Sequence, residues 1–168
     1  MNWTDYSERF KAELNKSSER QKMGFAIEIC ERLLPDYYNF VNQTNWGNAN
    51  TISKALEFVK SPANGKLTQA ESINNLVREV EKNTPDLDDF GQISGSLALN
   101  SCTAILETLN FLLDKKSERI MDIASFSYDS VYFKVGDLNP EFTEIEIQNH
   151  VDLQKEIKWQ MEKLKFLA

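Results

Sequence analysis

Histidine and cysteine are almost absent from this chain of 168 residues, which has one His and two Cys. A serine or cysteine nucleophile needs an adjacent base, and His150 is the only histidine available for that role. Cys30 and Cys102 each lie in an apolar helical pattern, so we expect two buried thiols, with a disulfide between them as the alternative. The sequence therefore argues against nucleophilic catalysis.

The motifs that hold phosphates, dinucleotides or metals are missing as well. No GxxxxGK, GxGxxG or GxSxG motif occurs, and no C-x-x-C pair is present. Glu146 and His150 share a helix face, but a di-iron centre needs a second Glu/His pair. Asp86, Asp88 and Asp89 lack the glycine and distal glutamate of a calcium loop. We expect no cofactor and no bound metal.

Positive charge is also in short supply, since 19 Lys and Arg stand against 26 Asp and Glu, for a net charge of −7. This balance disfavours nucleic acid as a partner, because phosphate binding needs a basic face. The N-terminus is polar, and the longest apolar stretch, Leu97 to Leu113, is interrupted by polar residues. We therefore expect a cytoplasmic protein that does not associate with membranes.

The spacing of apolar residues is helical almost throughout and predicts a single all-α domain over residues 1–168. We expect an orthogonal or irregular bundle of seven or eight helices. Ser18 and Gln21 form a capping box that begins the second helix, whereas Pro35 predicts a break and a separate short helix over 36–44. The segment 96–114 is apolar on more than one face and should lie at the centre of the fold.

Further sequence signals predict a loop and two helix starts between residue 61 and the C-terminus. A loop is predicted at 61–65, followed by a capping box at Thr68 and Glu71. Asn139 and Pro140 predict the start of the C-terminal helical region, with a bend near 149–150.

Aromatic residues form two groups along the sequence. Because one helix cannot bury neighbouring rings on all of its sides at once, we expect some of them to line a groove or a protein contact. The alternative for both groups is packing at the edge of the core. The first group contains Tyr37, Tyr38, Phe40 and Trp46, and the second contains Tyr128, Tyr132 and Phe133. Our candidate partner-binding residues are Asp36, Tyr38, Trp46, Asp86, Asp88 and Asp89.

Two segments carry a family resemblance. Residues 30–40 read C-E-R-x-x-P-x-Y-x-x-F and continue to Trp46-Gly47, and residues 85–90 read P-x-x-D-D-F. Together with the apolar helix that follows, they resemble the YjaG-like family of bacterial proteins of unknown function. The resemblance runs from about residue 20 to the end and leaves 1–17 outside, and Gly91 stands where an acidic residue is expected.

This resemblance implies an all-helical single domain and no established reaction, with signalling as a suggested role. The matched polar positions include Arg32 and Asp88. We expect these two side chains to form an ion pair that locks two helices together.

These observations favour a non-catalytic module that binds and masks a basic protein through complementary charge. Its most concrete form is an immunity or antitoxin protein that covers a nuclease toxin. One alternative is a signalling or regulatory domain with an unidentified ligand. The other is an enzyme that uses carboxylates such as Glu31, Asp36, Asp88 and Asp89.

Overall fold

A computed structural model describes residues 1–61 and 70–166, and within these ranges the chain forms eight helices and no strand. This confirms the predicted all-α class. Most of the predicted loop at 61–65, and the predicted cap at Thr68, lie outside the described residues. The helices are α1 (Trp3–Leu14), α2 (Glu19–Thr44), α3 (Ala49–Lys60), α4 (Ala70–Lys82), α5 (Ile93–Asp114), α6 (Ser117–Leu138), α7 (Glu144–Asn149) and α8 (Val151–Phe166).

Helix α5 lies at the centre of the bundle, as its apolar circumference predicts. It packs against α2, α3, α4 and α6, and it buries residues on several faces, among them Ala98, Ile105, Leu109 and Phe111. It is the one described helix long and apolar enough to cross a membrane, and half of its most apolar stretch is buried inside the fold. Most of the apolar surface of α5 is thus covered by its neighbouring helices, and Leu113 near its end is exposed.

Helix α2 runs without interruption through Pro35, so the predicted break and the separate helix over 36–44 are wrong. Proline removes one backbone N–H and leaves the carbonyl of Glu31 without its intrahelical partner. Both Pro35 and Glu31 are exposed, so water can solvate that carbonyl. Leu33 and Tyr37 are buried on either side of the proline, and this burial outweighs the local cost.

Side-chain caps begin four of the described helices, α1, α2, α3 and α7. The capping box of Ser18 and Gln21 is confirmed at the start of α2. The predicted start at Asn139-Pro140 is wrong, because the Asn139 side chain donates to the Val135 carbonyl and ends α6. A capping box of Thr143 with Glu146 begins α7 instead, and the predicted bend is confirmed between α7 and α8.

Replacing Pro35 by alanine should restore the backbone hydrogen bond to Glu31 and raise the free energy of unfolding by about 1–2 kcal/mol. Urea unfolding followed by circular dichroism measures the change. Asn39→Ala, at an exposed position one turn later, is the matched control and should shift stability by no more than about 0.5 kcal/mol. A loss of stability in Pro35→Ala would contradict this account of α2.

Candidate functional site

The acidic turn, defined as residues 86–90, links α4 to α5 and is closed by its own first residue. The Asp86 carboxylate accepts a hydrogen bond from the Asp88 amide at 2.9 Å, and the Asp86 carbonyl accepts from the Phe90 amide at 2.9 Å. The carboxylates of Asp86, Asp88 and Asp89 are exposed, and within residues 1–61 and 70–166 none of them forms an ion pair. The turn therefore presents three uncompensated negative charges to solvent.

Aromatic rings hold this turn against the bundle. Phe90 packs on Trp46 at 5.2 Å and on Phe40 at 5.0 Å between ring centroids. At Gly95, a Cβ atom would overlap the Phe90 carbonyl oxygen, so the close approach of the turn to α5 requires glycine there. The fold thus brings Trp46, a predicted site residue, next to the acidic turn, with its ring half-buried.

The other two predicted partner-binding residues have structural roles instead. Asp36 is buried and forms an ion pair with Lys134 of α6 at 2.9 Å. The Tyr38 hydroxyl is hydrogen-bonded to Ser53 of α3. Both polar groups are engaged between helices, so Asp36 and Tyr38 do not belong to the candidate site.

The predicted ion pair between Arg32 and Asp88 is wrong. The Arg32 guanidinium instead pairs with Glu156 of α8 and lies 3.8 Å above the centre of the Trp159 ring. Glu156 is almost fully buried, with 3% exposure. A buried carboxylate needs a cation, and α8 places the Glu156 carboxylate next to Arg32, although the two residues are 124 positions apart in sequence.

Glu156 belongs to a buried polar network that links four helices. Its carboxylate accepts hydrogen bonds from Ser127 at 2.6 Å and from Gln160 at 2.8 Å. The Gln160 side-chain oxygen accepts a hydrogen bond from the Tyr6 hydroxyl of α1. Burial, and the nearby negative charge of Glu156, raise the pKa of Tyr6 well above its usual value, so the phenol stays protonated. With Arg32 of α2, the network fixes α1, α2, α6 and α8 relative to one another.

The residues considered for nucleophilic chemistry lie in separate places. Cys30 and Cys102 are buried and free, and burial raises the pKa of each thiol to about 12. Cys30 contacts the Thr108 hydroxyl, whereas His150 accepts a hydrogen bond from the Asp152 amide at 3.2 Å. Among the residues that the structure covers, no group of three or more His, Cys, Asp or Glu side chains could hold a metal ion.

An open groove of about 380 Å³ lies along α6, where α1 and α7 flank it. We call it the aromatic groove. The Trp3 ring is 4.6 Å from that of Tyr128, and Tyr128 stacks on Tyr132 at 6.4 Å. Among the described residues, no lysine, arginine or histidine lines it. Its lining residues are Trp3, Ser125, Tyr128, Asp129, Tyr132, Phe133, Glu144 and Gln148.

Two carboxylates face this groove. Glu144 accepts a hydrogen bond from Gln148 at 3.1 Å, but the Asp129 carboxylate forms neither a hydrogen bond nor an ion pair with any residue in the described ranges. Burial raises the pKa of Asp129. Burial and the nearby Asp129 also raise the pKa of Tyr128 to about 12. Asp129 is thus a half-buried negative charge without a cation beside aromatic rings.

The groove and the acidic turn lie on one continuous face. A second depression of about 310 Å³ is lined by Gly91, which directly follows the turn, and by Asp137 of α6. Tyr132 and Phe133 line both this depression and the aromatic groove. We call the surface from the acidic turn to the groove the acidic face.

The sequence indicates some of the rings of this face, namely Trp46, Tyr128, Tyr132 and Phe133, but not Trp3 and not the carboxylates of Asp129 and Glu144. Tyr128 and Tyr132 are four residues apart on one helix face, and the same spacing relates Asp129 to Phe133, which could have revealed Asp129. Trp3 and Glu144 come from other helices, so no local pattern could place them beside Tyr128.

Comparison with known proteins identifies the family. A family model described as "Protein of unknown function (DUF416)" matches residues 9–168. The chain belongs to the DUF416 family. The match begins inside α1, so the DUF416 region extends into the 1–17 segment that we expected to lie outside the resemblance.

Relatives of this DUF416 protein confirm the YjaG-like assignment. The proteins named "Uncharacterized protein YjaG" from Escherichia coli (strain K12) and Salmonella typhimurium are each 21% identical over 155 residues, which is 90% of this chain and 79% of theirs. The crystal structure of a DUF416 family protein from Shewanella baltica OS155 is similar, with a TM-score of 0.81 and 26% identity. It covers 94% of this chain and 83% of that one. The similarity therefore extends over almost the whole fold.

Removal of the Arg32 guanidinium should destabilise the fold, because it leaves the Glu156 carboxylate buried without its cation. We expect Arg32→Ala to lower the free energy of unfolding by about 2 kcal/mol, less than for a fully buried pair because Arg32 is partly exposed. Glu31→Ala, which breaks the exposed pair with Lys60, is the control and should cost less than about 1 kcal/mol. Equal thermal midpoints for the two variants would contradict the role of Arg32.

Asp129→Asn should stabilise the protein at pH 7, by up to about 0.5 kcal/mol, since it removes a half-buried charge that is still partly solvated. The raised pKa means that the ionised carboxylate is disfavoured in the folded state, so the gain is full above that pKa. It should disappear as the pH falls below about 4, where both states are protonated. Chemical unfolding of both proteins from pH 3 to pH 8 measures the difference, and a gain that persists at pH 3 would contradict the assignment.

Proposed function

We propose that this protein is a non-catalytic binding module that holds a basic partner protein on its acidic face. The observation that carries the proposal is the pairing of exposed carboxylates with partly exposed aromatic rings on a single surface. Tyrosine and tryptophan supply large contact areas in protein interfaces, and carboxylates attract and orient a basic surface.

The distribution of charge along the chain supports this proposal. The segments 83–114 and 120–154 together contain twelve acidic residues and one lysine. They supply the acidic turn and all of the groove except Trp3. The remaining segments carry a net positive charge, so the negative charge of the protein is concentrated in these two segments.

The single lysine in those two segments does not neutralise the face. Lys134 directs its ammonium group to the buried Asp36 at 2.9 Å, between α6 and α2. Lys134 is thereby held in an ion pair within the protein. Asp129 and the carboxylates of the acidic turn keep their attraction for an external cation.

Affinity capture from a lysate of the native host tests the proposal. The tagged protein is compared with a variant in which Asp86, Asp88 and Asp89 are all replaced by asparagine, which keeps the hydrogen-bond acceptor of Asp86 while removing three charges. We expect the wild type to retain a basic protein at low salt, with at least about tenfold less retained by the variant. Mass spectrometry identifies and quantifies the retained protein.

A control variant of equal net charge separates the role of the face from that of overall charge. Glu8, Glu71 and Glu81 are exposed on α1 and α4, and replacing all three by glutamine should leave capture unchanged. Raising the salt concentration should weaken capture by the wild type and by this control. Equal capture by both variants, or no basic protein at either salt concentration, would overturn the proposal.

The immunity-protein form of the proposal adds a separate expectation. If the partner is a nuclease toxin encoded by an adjacent gene, co-expression of this protein should protect cells from that toxin. The acidic-turn variant should protect less well than the Glu8, Glu71 and Glu81 control. A toxin that kills cells equally with and without this protein would remove the immunity role and leave the binding module to be tested by capture.

A further inference from the structure

The aromatic groove has the components of a site for one cationic side chain. Aromatic faces attract cations electrostatically, and a carboxylate at the same site adds a charge-assisted hydrogen bond. Trp3 and Tyr132 supply partly exposed rings, and the buried Tyr128 packs against both of them. Asp129 supplies a carboxylate that no residue of the described ranges satisfies. The missing component is a cation.

We propose that the aromatic groove binds one arginine side chain of the partner, with its guanidinium stacked on the rings and hydrogen-bonded to Asp129. The inference rests on the proposed function, because it names the residue through which a basic partner is anchored. Anchors of this kind, seated among aromatic rings near the middle of an interface, contribute much of the energy in protein complexes.

Arginine suits this groove better than lysine for chemical reasons. A guanidinium is planar, so it can stack on a ring while donating hydrogen bonds to a carboxylate in its own plane. It is also hydrated more weakly than an ammonium group and is therefore easier to transfer into a half-buried site. These properties favour a flat cation over a compact one in the groove.

The protein already contains one example of this arrangement. Arg32 stacks 3.8 Å above the Trp159 ring and pairs with the Glu156 carboxylate. The groove repeats the same combination of rings and a carboxylate, and there the partner would supply the guanidinium. Glu144 adds a second negative charge at the rim, and Gln148 holds it in position.

Small probes test the groove without the partner. The probes are N-acetyl-arginine methylamide, its lysine equivalent, and the citrulline equivalent, which has the shape of arginine without the charge. The protein has three tryptophans, so its amide spectrum contains three indole N–H signals, and Trp3→Phe identifies the signal of Trp3. We expect the arginine probe to shift the Trp3 signal saturably, with a dissociation constant of about 1–10 mM.

Two variants assign the binding to Asp129. Asp129→Asn keeps the shape of the groove and should weaken binding of the arginine probe about fivefold to tenfold. Glu81→Gln removes one negative charge from exposed α4 and should leave the affinity unchanged. The indole signals of Trp46 and Trp159 should not move with the probe, since neither residue lines the groove.

Each result bears on the inference in one direction. Saturable binding that needs both the positive charge and Asp129 supports it. No shift of the Trp3 signal, an equal shift with citrulline, or equally tight binding of lysine would overturn it. The proposed function can fail independently of this inference. The protein could bind the arginine probe and yet capture no basic partner, and it could capture a partner through the acidic turn without binding the probe.

Discussion

The apolar circumference of α5 is the constraint on which the rest of the structure depends. A helix that is apolar on several faces is stable in water only when other helices surround it, and α2, α3, α4 and α6 do so here. Covering α5 fixes the inner surface of α6, and the outer surface of α6 is then available to line the aromatic groove. The site is therefore a consequence of how the core is packed, and three of its rings, Tyr128, Tyr132 and Phe133, lie on a helix that the core holds in place.

Much of the fold could be predicted from sequence because its signals are local. The helical period and the Ser18 cap depend on residues within a few turns, and both were read correctly. The break predicted at Pro35 is wrong because the tendency of proline to end a helix competes with the burial of Leu33 and Tyr37. That burial depends on partners elsewhere in the chain. The start of α7 was misplaced because Asn139 and Pro140 fit a helix start as well as they fit a helix end.

The candidate site was predicted less completely because it is assembled from distant parts of the chain. Trp46 and the aspartates of the acidic turn are each predicted as candidates, but their proximity is not, because they meet through Phe90 and Phe40, which no spacing reveals. The predicted partner of Arg32 is wrong because the sequence contains several carboxylates that could pair with this arginine and does not distinguish between them. Burial of Glu156 decides between them, and burial is a property of the whole fold.

The two buried thiols have a consequence for the chemical resistance of the protein. Oxidation and disulfide exchange proceed through the thiolate, and a pKa of about 12 leaves almost none of it at Cys30 or Cys102 at neutral pH. Both side chains are also fully shielded from solvent. The folded protein should therefore have the same structure under reducing and mildly oxidising conditions, and its stability should not depend on the redox state of its surroundings.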